Sequence, residues 1–152
     1  MKAAFIVNTT AGRNRTLRVW PKLERQLRSI ADFSVFYTSQ QGAGTAVARE
    51  VQGQGFDRIV VVGGDGTLHE VINGVDPLRC VIGIIPTGTG NDFCRSVDIP
   101  LDPFATADYI FSDNLRTIDL GCVNGHRFIN IAGIGFDADV ADKVNKSTAL
   151  RC

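Results

Sequence analysis

Arg58-Ile59-Val60-Val61-Val62-Gly63-Gly64-Asp65-Gly66-Thr67-Leu68-His69-Glu70-Val71-Ile72-Asn73-Gly74 is the stretch on which the reading of this chain turns. A strand-like apolar run breaks into three glycines around one carboxylate, and a helix-period segment follows. Glycines at such a turn let the backbone approach a ligand, and a helix start offers unpaired N–H groups suited to phosphate. At the carboxyl end of a parallel strand, the turn lies where open α/β sheets bind ligands. Asp65 is therefore a candidate functional residue. Thr67-x-x-Glu70 also fits a capping box, which would give those two side chains a structural task. Three glycines together exceed what such a cap requires and favour a phosphate-binding turn.

The flanking sequence repeats the pattern. Strands are predicted at 3–8, 33–38, 58–62 and 80–85, alternating with helices. The first helix follows Thr9-Thr10-Ala11-Gly12-Arg13, with Leu17, Leu23, Leu27 and Ile30 expected on one face and Pro21 opening or kinking it. The second is predicted at 45–52 after Gly42-Ala43-Gly44, and the third at 68–73. Alternation of this kind implies crossover connections and a parallel sheet, an open α/β fold. The loops after Asn8, Thr38, Val62 and Ile85 should then converge on one edge. The last of them, Pro86-Thr87-Gly88-Thr89-Gly90-Asn91-Asp92, is a second glycine-rich loop.

Beyond Pro100 the character changes. A helix is predicted at 103–112, then a β-hairpin of 117–123 and 126–132 across Asn124-Gly125, and a helix at 137–145. A lone hairpin is marginal in water, so residues 116–152 read as the beginning of a β-rich second domain after an α/β domain of 1–115.

Bulk properties exclude several classes. The 152 residues suffice for one proper core, and 44% hydrophobic with 21% charged residues is ordinary for a globular protein. Sixteen basic residues balance sixteen acidic ones, and the twelve arginines read as scattered, which gives no nucleic-acid or anionic-membrane footprint. No apolar run is long enough to cross a bilayer, and the N-terminus reads as a first strand rather than a signal peptide. Cys80, Cys94, Cys122 and Cys152 lack metal or disulfide spacing, so reduced thiols in a cytosol are expected, with Cys80 and Cys94 as core filler.

Rival motifs are weaker. Gly133-Ile134-Gly135-Phe136-Asp137-Ala138 fits a dinucleotide fingerprint, but the confirming acidic position about twenty residues on falls beyond Cys152, and the preceding strand pairs most simply in a hairpin. The lysines, Lys2, Lys22, Lys143 and Lys146, form no Gly-Lys-Ser/Thr phosphate loop. Phosphates would have to be held by backbone amides, Thr and Asn side chains, arginine and a metal. His69 is assigned no role.

Gly63-Gly64-Asp65-Gly66-Thr67-x-x-Glu70-x-x-Asn73-Gly74 followed by Pro86-x-Gly88-Thr89-x-Asn91-Asp92-Phe93 resembles the diacylglycerol kinase catalytic domain family. That family includes bacterial lipid kinases and the sphingosine and ceramide kinases, and is more distantly similar to NAD kinases. Asn8 with Ala11-Gly12, and Tyr37-Thr38, match its earlier nucleotide-contacting turns, and 130–138 resembles the opening of its second domain. The resemblance implies an open Rossmann-like, mostly parallel sheet flanked by helices. It implies ATP contacts at Asn8, Thr9, Thr10, Ala11, Gly12, Thr38, Gly63, Gly64, Asp65, Gly66, Thr67, Glu70, Gly88 and Thr89. Asp65 and Asp92 would join the polar network near the phosphates and magnesium, with Asp65 either holding metal or orienting the acceptor hydroxyl. The implied reaction moves the γ-phosphoryl group of ATP to a lipid hydroxyl, chemistry that is mostly positioning and charge stabilisation.

Two departures stand out. The first turn reads Asn8-Thr9-Thr10 where the family usually has Asn-Pro. Family members also run to about twice this length in two domains. The second domain carries the acidic general base and further metal positions. The expectation is a nucleotide-binding half that binds ATP or ADP weakly, turns over lipid poorly alone, and self-associates through 117–145. Contact with lipid would be peripheral, from the cytoplasm. An NAD kinase-like enzyme and a non-catalytic nucleotide-binding module are the alternatives.

Overall fold

Successive residues of a strand point to opposite faces of its sheet. In β1 (Ala3–Asn8) and β3 (Arg58–Gly63) both sets are buried and, apart from Asn8 and Arg58 at the strand ends, apolar, so these strands need cover on both sides. The computed structural model, which describes residues 2–133, 135, 138–140 and 143, supplies it. Ala4, Ile6, Ile59 and Val61 face α2 (Ala43–Gly53) and α3 (Asp65–Gly74), meeting Ala48, Val51, Leu68 and Ile72. Phe5, Val7, Val60 and Val62 face α1 (Ala11–Arg28) and α5 (Pro103–Ala107), meeting Trp20, Leu23, Leu27 and Ala107.

With β2 (Ser34–Thr38) and β4 (Val81–Pro86) these strands form one parallel sheet in the order β2-β1-β3-β4. The chain steps from β1 out to β2, then back across β1 to β3 and on to β4. A constant crossover hand requires the covering helix to change face when the direction of travel reverses. It does so here: α1 lies on one face, and α2 and α3 on the other. The open α/β fold with a mostly parallel sheet is therefore as expected.

The differences have local causes. In α1 the buried positions are Thr16, Trp20, Leu23 and Leu27, whereas Leu17 and Ile30 are 54% and 51% exposed. Leu17 lies about 120° around the helix from the stripe it was grouped with, and Ile30 follows the C-cap Ser29. Pro21 neither opens nor breaks α1, because the non-helical backbone is confined to Gly12, Arg13 and Asn14. The helix after Pro103 stops at Ala107, five residues short of the expected end, and continues as turns to Ser112. A five-residue helix, α4 (Asp92–Ser96), went unread because a single turn shows no periodicity.

The hairpin is real but short: β5 (Gly121–Val123) pairs antiparallel with β6 (His126–Phe128) around Asn124 and Gly125, both at positive φ. It docks on the end of α3. The Arg127 amide donates to Asn73 Oδ1 at 2.8 Å, the Asn73 amide returns a bond to the Arg127 carbonyl, and the guanidinium caps the Ile72 and Val75 carbonyls. Those are carbonyls a helix end leaves without partners. Arg127→Met is expected to cost about 2–3 kcal/mol locally, the worth of charged hydrogen bonds. Hydrogen exchange should then accelerate in β5 and β6 while β1 and β3 stay protected. Leu120 and Ile129 pack against the core, whereas Ile118, Val123 and Ile131 are exposed. The predicted helix 137–145 and the fingerprint at 133–138 lie largely outside the described residues.

Candidate functional site

Because the chain leaves β1 in one direction and β3 in the other, the loops after these strands part and open a crevice, the usual ligand position in open α/β sheets. A cleft of about 310 Å³ lies there. Asn8, Ala11 and Gly12 form one wall, Gly64 to Thr67 with Glu70 the floor, and Gly88 to Gly90 the other wall.

Polar side chains bolt these loops together. Asn8, at the end of β1, donates through Nδ2 to Thr67 Oγ1 at 2.8 Å, and its Oδ1 accepts from the Thr10 amide and hydroxyl. Thr9 is held by the Thr38 carbonyl. Asp65 reaches across to the start of α4, where Oδ2 accepts from the Asp92 amide at 3.1 Å and Oδ1 from the Phe93 amide at 3.0 Å. Asn130 adds a third donor to Oδ1 at 3.4 Å. Glu70 accepts from the Gly42 and Gly44 amides, both at 2.8 Å, at the start of α2. The capping box is thus overturned: Gly64 is the N-cap of α3, and the Thr67 and Glu70 side chains serve other segments.

Backbone proximity explains part of the glycine content. Gly12 has a φ of +58°, and a Cβ there would overlap the Thr87 carbonyl oxygen. Gly64 and Gly88 pack backbone to backbone: a Cβ on Gly64 would stand 3.0 Å from the Gly88 Cα. Gly66 differs, since a Cβ there would meet nothing within 4 Å. The three glycines around Asp65 therefore do not all point to a ligand, as the sequence argument had it. Gly64 is needed for packing, and only Gly66 faces open space.

Two carboxylates flank this space. A Cβ on Gly90 would lie 3.3 Å from Asp65 Oδ2 and 3.5 Å from Asp92 Oδ2, so both oxygens address one small volume. Magnesium is commonly held by one or two carboxylates together with phosphate and water, and this donor set fits that habit. Among the described residues no group of three or more His, Cys, Asp or Glu gathers as a metal cage. Cys94, under the same loop, has its thiol pushed up to about 11 by burial first and by the Asp65 charge second. At pH 8 a thiol reagent should modify exposed Cys122 and leave Cys94 untouched. The native state keeps the Cys94 proton above pH 9.0, where the unfolded chain loses it, so this group's contribution to stability fades between about pH 9 and about 11.

Of the residues singled out from sequence, Asn8, Ala11, Gly12, Gly64, Asp65, Gly66, Thr67, Glu70, Gly88 and Thr89 line the cleft. Thr9, Thr10, Thr38, Gly63 and Asp92 are not in its lining and stand behind or beside it. Two further residues support the Gly88–Gly90 wall: Asn91, which the sequence motif contains, and Arg95, which the sequence did not single out. Asn91 is 4% exposed with a left-handed backbone, donates to the Gly88 carbonyl, and leaves Oδ1 buried without a partner among the described residues. Arg95 donates to the Gly90 carbonyl at 3.3 Å and holds the outer loop. Thr87, by contrast, is buried against the Thr16 hydroxyl at 2.6 Å and faces the core.

The fold and this cleft define an open parallel α/β domain with ligand loops at a topological switch point. The chain belongs to the diacylglycerol kinase catalytic domain family, which it matches over residues 2–123. It is 40% identical over 138 residues to the diacylglycerol kinase of Bacillus subtilis strain 168, covering 88% of this chain and 46% of that protein. It is 38% identical to the enzyme of that name from Staphylococcus haemolyticus, covering 88% and 41%. A crystal structure of a diacylglycerol kinase from Bacillus anthracis superposes with a TM-score of 0.80 at 34% identity, over 95% of this chain and 51% of that one. The chain thus spans about half the length of the relatives it matches.

Proposed function

We propose that this chain is the nucleotide-binding portion of an ATP-dependent lipid kinase, which transfers the γ-phosphoryl group to a lipid hydroxyl such as that of diacylglycerol. The observation that carries this is the convergence of three loops from β1, β3 and β4 on one cleft, with Gly66 facing open space and two carboxylates beside it. In that reading the Gly64–Thr67 turn and the Thr89 loop receive the phosphates, and Asn8 to Gly12 the remainder of the nucleotide. The hydroxyl oxygen bonds to the γ-phosphorus, the bond to the bridging oxygen breaks, ADP leaves, and the hydroxyl proton passes to an acidic base that the family resemblance assigns to the second domain. Asp65 acts as a positioning carboxylate and not as the general base, since both its oxygens hold amides of α4. Asp65 Oδ2 and Asp92 are the groups that would hold magnesium, which would neutralise phosphate charge.

We further assign residues 1–115 to the nucleotide side and 116 onward to the start of the lipid side, with little turnover from the 152-residue chain alone. Exposed Ile118, Val123 and Ile131 favour self-association, which a monomer by light scattering at high concentration would contradict. Among the described residues no helix is long and apolar enough to cross a membrane, in keeping with peripheral lipid contact.

The test is calorimetric titration of ATP, ADP and NAD, each with magnesium, into the chain. Magnesium-dependent ATP or ADP binding supports the proposal. Preferential NAD binding moves the assignment to an NAD kinase-like enzyme. Absence of binding to all three overturns a nucleotide role for this cleft.

A further inference from the structure

One short segment touches both ends of the helix that carries the phosphate turn. That helix, α3, runs from Asp65 at the cleft to Gly74, roughly 13 Å away at the α-helical rise. At its far end Asn73 Oδ1 accepts from the Arg127 amide at 2.8 Å, and the Arg127 guanidinium donates to the Ile72 carbonyl, also at 2.8 Å. Three residues further along the chain, at the cleft end, Asn130 Nδ2 donates to Asp65 Oδ1 at 3.4 Å. Between these anchors Ile129 packs against the apolar cluster that α2 and α3 share. Residues 127–130 therefore lie along α3 as a strap. The helix beneath is packed tightly in turn. A Cβ on Gly74 would stand 2.3 Å from the Thr45 carbonyl oxygen, and Thr45 Oγ1 donates to the Glu70 carbonyl at 2.9 Å. With α3 held against α2, the step from Arg127 to Asn130 decides where the Asn130 amide sits.

We infer that Asn130 is a positioning residue for Asp65, set in place by the Arg127–Asn73 clamp, and that the strap so orients the carboxylate beside the phosphates and magnesium. The inference rests on the nucleotide reading of the cleft. The two oxygens of Asp65 are differently placed. Oδ1 accepts from the Phe93 amide at 3.0 Å as well as from Asn130. Oδ2 accepts from the Asp92 amide at 3.1 Å and lies beside the small volume at Gly90 that Asp92 also addresses. The terminal torsion of an aspartate is broad, so outside donors must hold it at one angle. A second donor on Oδ1 does this and keeps Oδ2 toward the cleft. Asn130 is exposed and has no other hydrogen bond among the described residues, so its side chain is free for this task and dispensable to the core. Residue 130 also belongs to the part assigned to the lipid side. A shift of that part along α3 would lift the amide off Oδ1 and release the carboxylate.

The experiment measures amide hydrogen exchange at Asp92 and Phe93, and magnesium-dependent ATP binding by calorimetry. The variants are Asn130→Ala, Asn130→Asp, Arg127→Met, and Arg127→Met combined with Asn130→Ala. Asn130→Ala should speed exchange at both amides about fivefold, the worth of one ordinary hydrogen bond, and leave the unliganded Tm unchanged. It should weaken magnesium-ATP binding by a similar factor and raise the magnesium concentration needed for half-maximal binding, which a merely structural contact would not move. Asn130→Asp removes the donor and sets a like charge beside Oδ1, so it should be worse than alanine on both counts. Arg127→Met should reproduce the Asn130→Ala changes from the other end of α3. The double variant should then add nothing further at Asp92 and Phe93, because both residues act through one contact. Unchanged exchange at these amides in Asn130→Ala or in Arg127→Met, or additive effects in the double variant, overturns the inference. So does tighter magnesium binding by Asn130→Asp, which would turn that side chain toward the ion instead of Asp65. Exchange needs no nucleotide, so the two readings fail separately. Coupled exchange in a chain whose parent binds no nucleotide sinks the kinase reading alone, and nucleotide binding without coupled exchange sinks only the strap.

Discussion

Asp65→Ala should bind magnesium-ATP at least tenfold more weakly than the parent chain and unfold at lower denaturant, by about 3 kcal/mol for the loss of two or three charged hydrogen bonds. The reasoning is geometric. The Asp65 carboxylate is the partner of two backbone amides at the start of α4 and of Asn130 beyond the hairpin. Alanine leaves those amides without acceptors and releases the loop that carries Gly88 to Gly90. Asp65→Asn separates the structural from the electrostatic part. An asparagine keeps one acceptor oxygen but turns an NH₂ toward the other amide, so it should recover only part of the lost stability. Its carboxylate charge is gone in full. If Asp65→Asn is nearly as stable as the parent yet loses the magnesium dependence of ATP binding, Oδ2 faces the metal. If magnesium dependence survives in both variants, Asp65 only bolts loops, and Asp92 or groups outside the described residues face the ion. A variant as stable as the parent in both substitutions would contradict the clamp itself.

Much of this architecture was legible because the strands carry the signal on both faces. Continuous runs such as Arg58 to Val62 need two covering layers, and the intervening helical segments supply them. The four strands of the parallel sheet therefore came out within a residue, whereas the hairpin strands were each read four residues too long. The convergence of loops followed from parallel alternation alone. Side-chain tasks were much less legible, because they are settled by segments distant in sequence. Thr67 and Glu70 have the spacing of a local cap, yet Asn8 lies 59 residues from the first and Gly42 28 residues from the second. The buried Arg58 shows the same limit. Nothing in a strand sequence announces that its guanidinium will hold the Ile110 and Ser112 carbonyls after α5. The phase of α1 failed for a different reason: the left-handed turn at Gly12 to Asn14 interrupts its first turn, and a stripe that groups Leu17 with Leu23 does not keep helical period.

The glycines permit a separation that no carboxylate substitution provides, between residues the fold requires and residues a ligand requires. Gly12→Ala places a methyl group against the Thr87 carbonyl at a left-handed φ, and should destabilise the chain by about 2–4 kcal/mol. It should also impair nucleotide binding, but as a consequence of a damaged wall. Gly66→Ala meets open space in the first turn of α3, where alanine is the better helix former. The free protein should therefore be unchanged or more stable by about 0.5–1 kcal/mol. A ligand whose phosphates approach that turn would nevertheless meet the new methyl group, and ATP affinity should drop tenfold or more. Thermal unfolding with and without magnesium-ATP reads both quantities together: the ligand-induced rise in Tm should shrink in Gly66→Ala while the unliganded Tm holds or increases. A Gly66→Ala chain that binds ATP as tightly as its parent would remove the phosphates from this turn. The nucleotide would then have to lie along the Gly88–Gly90 wall, with Gly66 retained for a reason unrelated to binding.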